Sequence, residues 1–325
     1  MTFRFLLAAA YLAASAAAAE PANFIYSGDA DEVTLTRLLQ RPDIEGLQQI
    51  YSWRQLEPGE GVYDFSEVEA DLARTEALGK QFFIQIQDRF FSNEARRLPD
   101  YILTDPIYEG GLVAQMDGNG EELAFQQGWA AIQWNDALRT RFQALLTALA
   151  EEFDGRIAGI NLPETAIDID MEADTTGFSC DAYFDAELDN LRHARSVFAE
   201  SNVVQYENFW PCEWNNDHGY MERLFETAAA DGIGLGGPDI APYRKGQMKN
   251  AYPFFHDYHD RLPVVAMAIQ EPTLKYRNDE TGKPYTRAEF VDFAENYLGV
   301  DIIFWTPDAP WLFEDRTGGR AASQP

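Results

Sequence analysis

Two glutamates stand where apolar runs stop. RIAGINLPETAI, residues 156–167, carries a buried-type run into Pro163 and Glu164, with Asn161 three residues ahead and Asp168 and Asp170 just beyond. LPVVAMAIQEP, residues 262–272, does the same at Glu271. A carboxylate at the mouth of a buried strand is either a solvated cap on a loop or a reactive group held on a rigid support. In the second case its chemistry is hydrogen bonding to hydroxyl groups or acid/base work. The choice depends on the elements that hold the carboxylates and on what ends the neighbouring strands.

Those elements repeat in type, not in sequence. Short apolar runs recur at 23–27, 46–53, 81–87, 156–162, 202–210, 232–237, 262–270 and 301–307. Between them lie stretches whose apolar residues are spaced three and four apart, at 65–79, 137–153, 182–200, 220–232 and 286–299, several ending in Gly or a polar break. Strands alternating with helices imply parallel pairing through right-handed crossovers, and eight of them imply closure. The expected fold class is α/β: a single-domain (β/α)8 barrel over 20–316 with long rim loops. An open doubly wound sheet competes less well, since no nucleotide-type glycine loop follows the first run.

Composition bounds the rest. With 54 acidic and 25 basic residues the formal charge is -29, which repels nucleic acid and anionic lipid except where a local basic patch is hidden. Residues 1–19 read as a secretory signal: one positive charge in MTFRF, an apolar core too short for an ordinary membrane helix, then small residues before the cleavage point. The mature chain is therefore expected outside the cytoplasm, secreted or periplasmic, with no membrane partner and a polar tail at 317–325. Export places Cys180 and Cys212 where a disulfide persists, and rim loops after adjacent strands can bring them together. The four histidines form no HExxH, and no P-loop, GxGxxG or GxSxG occurs, so neither metal catalysis nor a cofactor is expected. MDGNGEE is only a fragment of a calcium-loop pattern.

Barrel chemistry sits at the carboxyl ends of the strands, which here read SWRQLEP, QIQDRFF, NLPETA, YENFWPCEW, GGPDIAPY, AIQEPTLKY and FWTPDAPW from the second strand to the eighth. They are rich in carboxylates and aromatics. A carbohydrate cleft needs both, since ring faces stack on sugars and carboxyl groups bind hydroxyls or move protons.

SWRQLEPGEGVYDFSEVEADLARTEALGKQFFIQIQ, residues 52–87, resembles the second and third β/α units of clan A retaining glycoside hydrolases, in which W-x-x-L/I-E-P-x-x-G-x-Y-D-F precedes a helix and a strand begins after Gly-Lys. That resemblance implies one catalytic glutamate after the fourth strand and another after the seventh. Glu164 and Glu271 fall there, 107 residues apart, about the length of three β/α units. It makes Glu164 the acid/base and Glu271 the nucleophile of a double displacement on a β-linked poly- or oligosaccharide. Retention asks for carboxyl groups roughly 5–5.5 Å apart, and the acid's pKa should rise from about 4.3 towards 6 or more.

Many clan members place Asn directly before the acid; here Pro163 stands there, and Asn161 is the substitute candidate for holding a sugar hydroxyl. Tyr243 is a candidate hydrogen-bond partner of the nucleophile, and Trp305 a candidate floor of the sugar site. Trp53 and Trp210, with Trp214 and Trp311, are candidates for further subsites or for the core. Glu207 and Asp88 are candidate sugar ligands, with Asp239 beside them, and Glu57 a turn residue paired with Arg54. An inverting hydrolase, a transglycosylase and a non-catalytic carbohydrate-binding barrel remain as alternatives.

Overall fold

The structure, a computed structural model, describes residues 20–90, 92, 97–117 and 125–314. The expected signal segment, the polar tail and most of MDGNGEE lie outside the described residues. Among the described residues eleven strands run β1 (Ala22–Tyr26), β2 (Gly46–Ser52), β3 (Gln81–Gln87), β4 (Arg89–Phe90), β5 (Leu112–Asp117), β6 (Phe125–Ala131), β7 (Gly159–Leu162), β8 (Asn202–Tyr206), β9 (Gly234–Gly237), β10 (Val265–Ile269) and β11 (Ile302–Trp305). Eight of them close a parallel barrel in the order β1-β11-β10-β9-β8-β7-β3-β2, so each apolar run of the sequence is one stave. The helices are α1 (Glu32–Leu39), α2 (Trp53–Leu56), α3 (Ser66–Ala77), α4 (Asp100–Thr104), α5 (Asp136–Phe153), α6 (Cys180–Val197), α7 (Tyr220–Asp231), α8 (Lys245–Asn250), α9 (Tyr252–Tyr258) and α10 (Arg287–Phe293). Among the described residues no helix is long and apolar enough to cross a membrane.

Local chemistry sets these boundaries. Asn135 caps α5 by accepting from the Leu138 amide at 2.9 Å, and Thr286 with Glu289 forms a capping box on α10. The apolar stripe of α5, from Leu138 through Phe142, Leu145 and Leu149 to Phe153, is buried against the barrel wall.

Inside the barrel the lowest layer is aromatic. Phe24, Phe83 and Phe304 meet edge to face at 5.3 to 5.8 Å between ring centres. Gly46 and Gly159 leave them room: a Cβ at Gly46 would stand 2.1 Å from Phe24, and one at Gly159 2.3 Å from Phe83. Above lies a polar layer in which the Gln48 amide donates to Asn161 Oδ1 at 3.0 Å and to the Tyr206 hydroxyl at 2.7 Å. The packed interior closes the barrel from below and leaves a mouth only at the carboxyl ends.

The insertion after β3 is not irregular throughout. β4, β5 and β6 form a three-stranded antiparallel sheet on the rim, and the Met116 amide donates to the Asp168 carbonyl at 2.8 Å, joining it to the loop after β7.

Cys180, the first residue of α6, and Cys212, in the loop after β8, form a disulfide with 6.2 Å between Cα atoms. In the chain-entropy account, closing 32 residues stabilises by about 3–4 kcal/mol. The unreduced intact mass should be two hydrogens below the reduced one, and reduction should lower the denaturant midpoint. Two thiols that alkylate freely without reductant would contradict this.

Candidate active site

Glu164 is held by fixed neighbours on both sides. The Gln205 side-chain amide donates to the Pro163 carbonyl, and the Thr165 amide donates to the Tyr206 carbonyl at 3.0 Å. Tyr183 donates its hydroxyl to the Thr165 carbonyl at 2.8 Å, and Thr165 Oγ1 accepts from the Asn208 amide at 3.1 Å. A turn tied at this many points keeps its carboxyl group in one place. Burial pushes the Glu164 carboxyl up to about 7, helped by the nearby Asp239 and opposed by Arg89 and by a hydrogen bond from Asn208. The Gln247 amide donates to Asn208 Oδ1 at 3.0 Å, which leaves the Asn208 NH2 to face Glu164.

Glu271 follows β10 and accepts a hydrogen bond from the Thr306 hydroxyl at the end of β11. It lines a cavity of about 680 Å³ with Tyr26, Asp29, Ser52, Gln87 and Asp308. Glu164 lines a neighbouring one of about 440 Å³ with Gln115, Asn208, Phe209, Asp239 and Gln270, so the rim sheet contributes Gln115 to its wall. Asp239 links the two sides: its charge bears on Glu164, and that of Glu271 bears on it. Burial raises the Asp239 carboxyl above its usual range, against a hydrogen bond from Thr273 and the Arg244 charge.

Tyr26, at the end of β1, stands where all these charges act. Its phenol is held well above the ordinary value, first by burial and then by Glu271, Asp29, Asp239 and Glu164. It stays a protonated donor in the middle of the mouth.

Several expected positions move. Asn161 is enclosed in the barrel interior with Gln48, and the amide beside Glu164 is Asn208. Tyr243 does not face Glu271; it packs on Phe293 at 4.9 Å and lines a separate cavity, while the hydroxyl on Glu271 is that of Thr306. Asp88 is buried behind the rim, bonded to Gln133 at 2.7 Å and paired with Arg89 at 3.2 Å, so it has no free face for a sugar. Glu207 points outward from the stave towards Tyr252, Phe255 and Met267; both its oxygens are buried without a partner, and burial drives its carboxyl strongly towards the neutral form.

Trp53, Trp210 and Trp305 are core residues. Trp53 is fully buried on Phe142 and donates to Glu57 at 2.8 Å. Trp210 packs on Tyr183, Phe184 and Tyr220. Trp305, 1% exposed, packs on Phe290 and Trp311 outside the barrel and donates to Asn23 at 2.7 Å. Among the candidate rings the exposed ones are instead Trp214, stacked on Phe209 with 6.3 Å between centres and with Lys249 over its ring at 5.1 Å, and Tyr243. Trp305→Ala should therefore cost about 3–5 kcal/mol of stability and leave kcat/KM per folded molecule unchanged. A variant with normal melting and a tenfold drop in kcat/KM would return Trp305 to the sugar site.

No family model matches the chain, and no curated protein does. Among solved structures it is similar to the catalytic domain of β-amylase from Paenibacillus polymyxa, with a TM-score of 0.56 and 8% identity over 88% of this chain and 92% of that one. It is also similar to a β-galactosidase from the psychrophilic Marinomonas ef1, at 0.55 and 10% over 89% and 57%. Xylanase A of P fluorescens subsp. cellulosa gives 0.50 and 10% over 92% and 90%. At these identities the likeness concerns the backbone, and the (β/α)8 barrel is the fold this chain shares with these glycoside hydrolases.

Proposed function

We propose that the protein is a glycoside hydrolase that cleaves a β-linked poly- or oligosaccharide by double displacement, with Glu164 as acid/base and Glu271 as nucleophile. The observation that carries this reading is a buried carboxyl group with a raised pKa after the fourth stave and a second carboxyl group after the seventh, both at the carboxyl-end mouth of one barrel. Burial pushes the Glu164 carboxyl up to about 7, and Glu271 is positioned by the hydrogen bond it accepts from the Thr306 hydroxyl. In the first step the Glu164 proton passes to the leaving oxygen as the glycosidic bond breaks and Glu271 bonds to the anomeric carbon; in the second Glu164 takes a proton from water, whose oxygen bonds to the anomeric carbon as the Glu271 ester bond breaks and frees the carboxylate. Tyr26 supplies a hydroxyl that can bond to a ring substituent or to the nucleophile. The similarity to several glycoside hydrolase barrels supports the glycosidic-bond part of this reading.

An inverting mechanism has one observation in its favour: Asp239 is a third carboxyl group at the mouth, its charge acting on Glu164 and that of Glu271 acting on it. Incubating the mature protein with a panel of β-linked polysaccharides, followed by product analysis, tests the activity. Release of sugars by the parent and not by Glu164→Gln is expected. An equally active glutamine variant would remove Glu164 from the chemistry.

A further inference from the structure

Beyond Glu164 the mouth continues across Asn208, Phe209 and Asp239 into a third cavity of about 680 Å³. Three cations line it: Arg244, Lys245 and Arg277. In a chain with 54 acids and 25 bases many cations find a carboxylate, as Arg41, Arg54, Arg74 and Arg139 do, while others such as Arg37, Arg195 and Arg261 contact only rings or carbonyl oxygens among the described residues. Arg244, Lys245 and Arg277 form no salt bridge among the described residues. Arg244 lies over the Tyr276 ring at 4.5 Å, which fixes its guanidinium plane, and Arg277 donates to the Gly282 carbonyl at 2.8 Å. The acids in the same wall are Asp239 and Asp279. Tyr243 adds a ring that is 62% exposed on a backbone at φ +58°, a left-handed conformation that a residue other than glycine adopts at a cost.

We propose that this cavity is a subsite for an anionic sugar residue, a uronate or a sulfate ester, on the leaving-group side of the cleft. The side assignment rests on the glycosidase reading, because the group protonated by Glu164 departs along the wall that carries Glu164. The chemistry of the site does not: two arginines that form no salt bridge among the described residues, with flanking aromatic rings, match a planar carboxylate or a sulfate on a ring whose apolar face can stack. Elsewhere the field of a strongly acidic chain disfavours an anion, so a local basic wall of this kind selects for one.

The test is calorimetric binding to the Glu271→Gln protein, which prevents turnover. The probes are β-1,4-linked tetraglucuronate, cellotetraose (its carboxyl-reduced counterpart) and 6-sulfated cellotetraose. One or both anionic probes should bind about tenfold or more tighter than cellotetraose at low salt. The advantage should shrink at about 0.5 M NaCl and in Arg244→Gln and Arg277→Gln, with melting temperature unchanged. A uronate-only preference identifies a carboxylate, a sulfate-only preference a sulfate ester. Equal or undetectable binding of all three probes, or arginine variants that bind as the parent does, would overturn the proposal. Cleavage of neutral glycans with no anionic preference overturns this subsite and leaves the glycosidase reading; anionic binding without any cleavage by the parent chain does the reverse.

Discussion

Glu271→Gln should lower kcat by about a thousandfold or more while its melting temperature stays close to that of the parent. The amide oxygen can still accept from Thr306, so the hydrogen bond at the end of β11 survives, and the loss falls on the bond-making step. Glu271→Ala goes further by opening space on the anomeric side. Azide in the medium should then restore turnover and give a glycosyl azide of inverted configuration, because a small anion attacks from the face the carboxylate occupied. Rate assays with and without azide, with circular dichroism melts, check this. A Glu271→Gln protein with parental kcat would exclude the residue as nucleophile.

The second large effect is in the pH dependence. Glu164 acts as an acid only while protonated, and its carboxyl sits at about 7 in the folded protein. Activity should therefore be lost as pH rises through that value, by about tenfold per unit above it. In Glu164→Gln the basic limb has no proton to lose. Turnover of a natural glycoside should drop by about 10²–10⁴-fold, whereas a dinitrophenyl glycoside, whose leaving group needs no proton, should retain most of its first-step rate and show a flat profile from pH 6 to 9. A basic limb that persists in this variant would belong to another group, with Asp239 the first to examine.

The barrel was legible because its staves are buried on both faces and read as continuous apolar runs, separated by helices with their own spacing. The same burial hides the parity of each stave. Phe304 and Tyr206 point into the barrel, so Trp305 and Glu207 point away from it; DIIFW has no alternation in polarity to say so, and the alternation of Gln205, Tyr206 and Glu207 does not say which of its two faces is the interior. A signal existed in Gln48 and Asn161, polar residues in otherwise apolar runs that bond to each other in the interior; fixing their parity first would have put Asn208, not Asn161, beside Glu164. Tyr26 was missed because a tyrosine ending a short apolar run looks like any packing residue.

Long-range pairing was legible only where loop adjacency forced it. Cys180 and Cys212 follow neighbouring staves and do meet. Glu57 was assigned to the nearby Arg54, but its partner is Arg141, which α5 brings across from 84 residues away, while Arg54 pairs with Asp100. The rim strand β6 gives little signal in the sequence, because FQQGWAA carries glutamines and a glycine where a strand usually carries β-branched residues.

The central assignment is tested most directly by trapping the glycosyl-enzyme with the 2-deoxy-2-fluoro, dinitrophenyl-activated form of whichever sugar the polysaccharide panel identifies, followed by tryptic mapping. Fluorine at C2 slows both steps and the activated leaving group restores the first, so the covalent species accumulates. The peptide of residues 262–275 should gain the mass of one fluoroglycosyl unit, carried on Glu271. A label on Asp239 or any other carboxylate, or an unlabelled enzyme that releases an inverted sugar from the natural substrate, would contradict it.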